Sequence, residues 1–351
     1  MLKFATDKSN TIMDSLTQII LGAAVAEAVA GKKMGNKAAL WGAIGGTIPD
    51  LDVFITGFFH PIDGLLVHRG FSHSILFAMI MGPFIGWIMY HVFKKKFDLK
   101  IWISLFFWSL ITHPMLDIFT NYGTEFFWPF PVRLTFNSVF VIDPLYTLPF
   151  MGCLIAALCF KKENPKRRTW NKLGIFYSTG YLIYGLIVKS MILTNAPNYF
   201  EKANLHTTNT MVTPMPLTSF YWMLLTEDSK NYYVGYKSFF YTFNPKDIDT
   251  IPKVKKPLND IKWFGKNYSK TLDFISNGYF TTEKRNDIMR FYDLRFGLTN
   301  KLTNNEVKHP LMGFDLVIDN GFVQKTNRLN PSEAMKALNF GKYISKIFSN
   351  E

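Results

Sequence analysis

Cysteine is scarce in this chain of 351 residues, and its two cysteines, Cys153 and Cys159, lie within one apolar run. This distribution disfavours both a disulfide framework and a zinc site built on cysteine. The polar N-terminus also lacks the basic, apolar and small-residue pattern of a cleavable signal peptide. We therefore expect the first apolar segment to be retained, after a polar extension over residues 1–12 that would be absent if translation starts at Met13.

The chain has no continuous stripe of basic and aromatic side chains, although its net charge is +13. Because Lys and Arg lie in short loops and across the tail, no nucleic-acid partner is predicted. Basic flanks of membrane helices account for much of this charge. The sequence also shows no repeated halves, which disfavours a transporter.

Apolar sequence, in contrast, is abundant, since 48% of the residues are hydrophobic. Six apolar segments cover residues 15–30, 38–59, 72–93, 99–120, 139–160 and 173–193. Each of the last four has about 20 residues, enough to cross about 30 Å of hydrocarbon. The first segment is short and carries Glu27, and the second is rich in glycine, so both are predicted to pack inside the bundle. The predicted fold is an all-α polytopic membrane bundle over residues 13–193.

Basic residues in the loops predict the orientation of this bundle. Thirteen Lys and Arg lie in the loops after segments one, three and five, against Arg69 and Arg133 in the alternate loops. Since basic loops face the cytoplasm, the tail falls on the extracytoplasmic side. The protein is therefore predicted to be a multi-pass membrane protein whose tail lies outside the cytoplasm.

Acids and histidines fall at the outer ends of these segments, although only Lys and Arg determined the orientation. The candidate metal ligands are Asp50, Asp52, His68, His73, His113 and Asp117. Carboxylate and imidazole groups together bind divalent transition metals, and burying such a cluster without a cation is costly. We expect one or two ions, zinc first and manganese second.

Three further residues complete the predicted site. Asp14 and Asp143 are candidate ligands or partners that orient imidazoles, with Asp14 placed among the metal ligands and Asp143 among the catalytic residues. Arg69 lies between two histidines and is expected to grip a phosphate, with a headgroup anchor or a salt bridge to Asp63 as alternatives.

Four motifs in order resemble one family. They are Met-Asp-Ser-Leu-Thr-Gln at 13–18, Gly-Thr-Ile-Pro-Asp-Leu-Asp at 46–52, His-Arg-Gly-Phe-Ser-His-Ser at 68–74 and Thr-His-Pro-Met-Leu-Asp at 112–117. The block Asn-Ser-Val-Phe-Val-Ile-Asp-Pro-Leu-Tyr at 137–146 follows them. They are similar to the bacterial YdjM-like inner-membrane metal-dependent hydrolases, over about residues 13–193. The resemblance implies a helical membrane hydrolase with a distant likeness to zinc-dependent phospholipase C enzymes. Many members have His where this chain has Gln18, and a neutral amide is a poor ligand for a transition metal.

The expected function is hydrolysis of a phosphoester in a lipid or other amphiphile, at the outer face of the membrane. Zinc lowers the pKa of bound water toward about 7 and so supplies hydroxide at neutral pH. The alternative is an envelope scaffold or binding protein with a structural metal site.

The tail over residues 194–351 reads as a small α+β domain without catalytic spacing. Residues 221–226 and 232–241 predict a hairpin. Further strands are predicted at 288–296, 313–318 and 322–325, and amphipathic helices at 261–277 and 332–348.

Overall fold

The computed structural model describes residues 8–59, 61–254, 262–263, 266–301, 309–319, 322–329 and 339–348, and the side chains of residues 8–14 lie outside this description. The chain forms two compact units. One comprises Lys8–His60 with Gly64–Gly185, and the other comprises Pro61–Asp63 with the described part of Leu186–Glu351. We describe each unit by itself.

The N-terminal unit is helical. Its helices are α1 (Lys8–Met34), α2 (Asn36–Thr47), α3 (Asp52–Thr56), α4 (Pro61–Val67, shared with the second unit), α5 (Ile75–Val92), α6 (Leu99–Asp117), α7 (Pro144–Leu158) and the first half of α8 (Pro165–Glu201). Short 3-10 turns at Pro49–Leu51 and Phe71–His73 join α2 to α3 and lead into α5. The helical part of the predicted fold is therefore confirmed.

Among the described residues, three helices, α5, α6 and α8, are long and apolar enough to cross a membrane. Helix α2 and the segment Pro49–Thr56 together make a fourth candidate, bent by 40° at the break. Helix α7 is apolar but has 15 residues, because Asp143 caps its N-terminus and Pro144 occupies its first turn. Six crossings therefore stay a prediction.

Glycines allow α1 and α2 to pack closely. A methyl group added at Gly42 would overlap the Gly22 carbonyl and the Ala26 side chain, and one added at Gly46 would lie 2.6 Å from the Gln18 carbonyl. Small residues at such a crossing let helix backbones approach inside a membrane. This approach brings Gln18 beside the C-terminal end of α2, where the candidate site begins.

Beyond Pro49 the second apolar segment differs from the prediction that it packs inside the bundle. Helix α2 does bury Ala38, Ala39 and its glycines. However, Phe54 is 69% exposed and Phe58 is 90% exposed. The segment therefore turns an apolar surface outward, immediately after the two aspartates.

The acidic residue in the first segment has a buried partner. Glu27 accepts two hydrogen bonds of 2.6 Å from the Arg167 guanidinium, which also donates to Asn36. This bidentate pair joins α1 to α8 and satisfies the charge that Glu27 brings into the bundle. Arg167 is therefore a buried structural residue, although the sequence analysis counted it among the basic residues of the loop after segment five.

The second unit contains two sheets. An antiparallel sheet contains β1 (Thr208–Pro214), β2 (Tyr221–Glu227), β3 (Asn231–Ser238) and β4 (Asp249–Pro252) in that order. The other sheet has the order β6-β5-β10-β9-β8-β7, with strands β5 (Lys262–Trp263), β6 (Lys266–Asn267), β7 (Phe280–Arg285), β8 (Ile288–Leu298), β9 (Pro310–Asp319) and β10 (Phe322–Arg328). Helices α9 (Tyr268–Ile275) and α10 (Phe340–Phe348) complete its described part.

The predicted hairpin and the three further strands lie where the sequence placed them. The helix predicted over 261–277 is confirmed in part: α9 covers Tyr268–Ile275, whereas residues 262–263 and 266–267 form short strands. Its apolar spacing fitted a helix, but strand β5 pairs with β6 on one side and with β10 on the other, through Lys262 and Phe322. The closing helix is observed as α10, while residues 330–338 lie outside the described part.

Candidate metal centre

Three helix breaks bring the candidate ligands together. Asp50 lies in the 3-10 turn after α2, and His73 ends the 3-10 turn before α5. His113 and Asp117 lie on the last turn of α6, four residues apart and so on one helix face. The donor atoms are thus held at the ends of elements whose other residues form the core.

Three donor atoms, from Asp50, His73 and His113, converge at this point, and a fourth, from Asp117, lies beside the two histidines. The Nε2 atoms of His73 and His113 are 3.2 Å apart, and each lies 3.3 Å from Oδ1 of Asp50. Oδ2 of Asp117 is 3.4 Å from Nε2 of His73 and 3.5 Å from Nε2 of His113. In a tetrahedral zinc site with bonds of about 2.0–2.1 Å, neighbouring donors are about 3.3 Å apart. The residues therefore fit a divalent transition metal.

Hydrogen bonding determines which nitrogen of His113 carries a proton. Its Nδ1 lies 2.6 Å from the Gly46 carbonyl oxygen, which can only accept. The carbonyl is available because α2 ends at Thr47, just before Pro49, which has no N–H to continue the helix. Nε2 of the neutral imidazole is therefore a bare lone pair, as metal ligation requires.

His73 is oriented in the same way by Asp52. Its Nδ1 lies 2.9 Å from Ser72 Oγ and 3.3 Å from Oδ2 of Asp52, and Ser72 donates to that same carboxylate oxygen at 2.6 Å. Because Ser72 gives its proton to Asp52, its oxygen accepts the Nδ1 proton of His73. Asp52 thus orients a ligand rather than joining the four donor atoms, an arrangement common behind metal-bound histidines.

Asp117 provides the clearest sign that a cation belongs here. Its Oδ1 accepts a hydrogen bond of 3.0 Å from Gln18 Nε2, whereas its Oδ2 is buried and accepts no hydrogen bond from the described residues. A buried carboxylate oxygen without a donor is costly. Here it lies 3.4–3.5 Å from the Nε2 atoms of His73 and His113, and a cation bound between these groups would remove the penalty.

His68 and Arg69 lie beside the four donors. His68 donates through Nδ1 to Oδ1 of Asp52 at 2.8 Å, and its side chain is 35% exposed. Desolvation lowers the pKa of His68, against the opposing effect of the Asp52 carboxylate. The Arg69 guanidinium is buried: it donates to Thr120 Oγ1 and lies 3.5 Å from Oδ1 of Asp117.

The two outlying acids have different positions. Asp143 caps α7 by accepting from the backbone N–H of Leu145, and its other oxygen accepts from the Tyr181 hydroxyl. It lines a small cleft together with Asp117 and Gln18. The side chain of Asp14 lies outside the described residues, so its role as a ligand stays a prediction.

Sequence reasoning missed the residues that hold the ligands. Ser72 is next to His73 in the motif, and Gly46 opens the motif that contains both aspartates, yet neither residue type is a ligand. Gln18 was doubted as a ligand, and in the structure its amide supports Asp117. These roles depend on partners in other helices, so spacing along the chain does not reveal them.

Comparison with known proteins places the chain in a family. Residues 13–192 match the family described as YdjM inner membrane protein, which covers just over half of the chain. The chain belongs to this family. The matched region contains every donor of the candidate centre, and together with the apolar helices it supports a membrane location.

One relative extends over most of the chain. The Bacillus subtilis (strain 168) protein named "Uncharacterized protein YfhP" is 22% identical over an alignment of 329 residues that covers 88% of this chain and 94% of that protein. This similarity therefore includes much of the second unit. No solved structure matches the chain.

Proposed function

We propose that this protein is a membrane-bound metal-dependent hydrolase that cleaves a phosphoester in a lipid or other amphiphile at the outer face of the membrane. The observation that carries the proposal is the convergence of lone-pair donors from Asp50, His73 and His113, with an oxygen of Asp117 beside both histidines. The protons on the two imidazoles are directed away from that point by Gly46 and Asp52. Such a set is suited to a divalent ion and to little else.

Each chain residue has a distinct part in this proposal. Asp50, His73, His113 and Asp117 would hold the ion, and Asp52, Ser72 and Gln18 orient the ligands. When bound, zinc or a similar ion supplies a hydroxide nucleophile at neutral pH by lowering the pKa of water. Hydrolysis places the hydroxyl oxygen on phosphorus, breaks the bond to the leaving alcohol and delivers the proton to that alcohol.

Exposure indicates the side from which substrate arrives. The Asp50 side chain is 25% exposed and that of His68 is 35% exposed, whereas His73, His113 and Asp117 are at most 1% exposed. Beyond Asp50 the chain presents exposed Phe54 and Phe58. An opening bordered by apolar side chains suits an amphiphile whose headgroup reaches the ion while its chains stay in the membrane.

A structural metal site in an envelope scaffold is the second candidate. It is favoured by the number of donors, because four protein ligands close a tetrahedral site, whereas catalytic zinc keeps an open position. The partial exposure of Asp50 favours the enzyme, since this carboxylate can give way to substrate. Asp50→Asn should therefore reduce turnover in an enzyme, whereas in a scaffold it should reduce only metal affinity and stability.

The first test is the metal content of the detergent-purified protein, measured by elemental mass spectrometry beside His113→Ala. We expect zinc or manganese in the wild type and its loss in the variant, because His113 provides a buried donor. Release of phosphate or of a phosphoalcohol from phospholipid vesicles should likewise be observed with the wild type and lost in His113→Ala. A well-folded wild type that takes up no metal when metal is supplied contradicts the whole proposal, and metal without any hydrolysis of phosphoesters favours the scaffold.

A further inference from the structure

The number of ions that this centre holds follows from the groups around its carboxylates. A two-metal site needs carboxylates that bridge, with one oxygen on each ion. Asp52 and Asp117 are the two buried acids near the donors that are candidates for bridging. The hydrogen-bond donors facing their remaining oxygens therefore decide whether a second ion has ligands.

Neither carboxylate oxygen of Asp52 is available to bind a second ion. Its Oδ1 faces Nδ1 of His68 at 2.8 Å, and its Oδ2 accepts from Ser72 Oγ at 2.6 Å and from the backbone N–H of Arg69 at 3.2 Å. A carboxylate that already accepts this many protons is a weak ligand for a further cation. Asp52 is thereby restricted to orienting imidazoles.

The outer oxygen of Asp117 is occupied as well. While Oδ2 faces the two imidazoles, Oδ1 accepts from Gln18 Nε2 at 3.0 Å and lies 3.5 Å from Nη2 of Arg69. An amide N–H and a guanidinium thus lie where a second ion would bind. Both groups are positive toward the carboxylate, and both would repel a cation.

Arg69 is held firmly in this position. Its backbone has a φ of 63°, in the left-handed region that bulky residues seldom adopt. Its guanidinium donates to Thr120 Oγ1 at 3.1 Å and lies over the Tyr122 ring, 5.0 Å from the centroid. A side chain 3% exposed and fixed by such contacts is a permanent charge of the site and is turned away from solvent.

The balance of charges around the centre also indicates a single divalent ion. Asp50, Asp52 and Asp117 bring three negative charges into one buried cluster, and Arg69 brings one positive charge. One divalent ion makes the total zero with neutral histidines, whereas a second would leave two uncompensated positive charges. Uncompensated charge is strongly disfavoured in a buried site.

We infer that the centre binds a single divalent ion, and that the Arg69 guanidinium occupies the place of a second. This inference rests on the proposed metal centre and limits its chemistry to one ion. It also assigns Arg69 to the inner side of the site, in place of the substrate-gripping role that the sequence suggested.

Metal stoichiometry in three full-length proteins tests the inference. The wild type, Arg69→Lys and Arg69→Met would be equilibrated with excess Mn²⁺, freed of unbound ions and measured by elemental mass spectrometry and electron paramagnetic resonance. We expect one equivalent with an uncoupled Mn²⁺ spectrum in the wild type and in Arg69→Lys, which keeps the charge. Arg69→Met should bind a second, weaker equivalent, because Oδ1 of Asp117 then faces no cation.

The outcomes separate this inference from the proposal it rests on. Two coupled ions in the wild type, or a single ion in a folded Arg69→Met, would overturn the inference and leave a metal centre. No manganese or zinc in the folded wild type would overturn the metal centre itself. Arg290→Met is the matched control: Arg290 pairs with Asp315, which is not a candidate ligand, so one equivalent is expected. A second equivalent there would also contradict the role of Arg69.

Discussion

At the scale of single residues, Asp52 links three parts of the centre. It orients His73, lies beside His68 and accepts from Ser72 and the backbone of Arg69. Asp52→Asn replaces one acceptor oxygen by a donor that faces other donors, so His73 loses its preferred tautomer. We expect metal affinity to fall about 10–100-fold, as is usual when such partners are removed. Competition with a fluorescent zinc chelator measures this change.

Ser72→Ala is the graded control for that change, since it removes the two hydrogen bonds of the Ser72 hydroxyl, to Asp52 and from His73, and leaves the carboxylate in place. Its affinity should lie between those of the wild type and Asp52→Asn. Equal affinity in all three folded proteins would show that Asp52 does not support a ligand.

Residue types and spacing predicted which residues form this cluster, but not which of them are candidate ligands and which orient the ligands. Asp50 and Asp52 are one residue apart and were treated as equivalent ligands. The 3-10 turn at Pro49–Leu51 ends between them, so Asp50 faces the other donors while Asp52 faces His68 and Ser72. The difference arises from a change of helical pitch at a proline, which a spacing rule does not include.

At the scale of elements, the contact between α1 and α2 positions Gln18 and the Gly46 carbonyl. We predict that Gly42→Ala destabilises the bundle by about 1–3 kcal/mol, because its methyl group would overlap backbone and side chain of α1. Gly152→Ala is the matched control, since a methyl there meets nothing within 4 Å. In the interior of α7 that change should be neutral or stabilising by up to about 1 kcal/mol.

Thermal unfolding in detergent, followed by circular dichroism, compares the two alanine variants with the wild type. A lower midpoint for Gly42→Ala and an unchanged or higher one for Gly152→Ala is the expected pair of results. Equal shifts would mean that the loss of glycine itself, and not the close approach of α1 and α2, determines stability.

Element types were predictable wherever one periodicity continued for several turns or several alternations, as in α5, α6 and β8. The ends of the helices were less predictable than their existence. The fifth apolar segment was predicted to begin at residue 139, but α7 begins at Pro144 because Asp143 accepts hydrogen bonds from the first free N–H groups of the helix. The segment at 261–277 had helical spacing and forms strands at its start. There, pairing between distant strands outweighs a local pattern.

At the scale of the whole molecule, the direction of the helices predicts which groups share a side of the membrane. Helix α6 begins beside Lys100 and ends at Asp117, and its 19 residues span about 28 Å. Helix α8 begins at Pro165, just after Lys161 and Lys162 and with further basic residues in its first turns, and leads into the strands after Glu201. If basic loops face the cytoplasm, the metal centre and the β-rich unit are both extracytoplasmic.

Cysteine labelling of intact spheroplasts with a membrane-impermeant maleimide tests this arrangement. In a Cys153→Ser background, exposed Cys159 follows α7 next to the basic loop, so it should react only after the membrane is permeabilised. Ser229→Cys, in a background that also lacks Cys159, should react in intact spheroplasts. Its turn is suitable because Asp228 closes it by accepting from Lys230 and Asn231 without using Ser229. Labelling of Cys159 but not of residue 229 in intact spheroplasts would show that the topology is the inverse of the predicted one. The metal centre would then face the cytoplasm, where a substrate in the outer leaflet could not reach it.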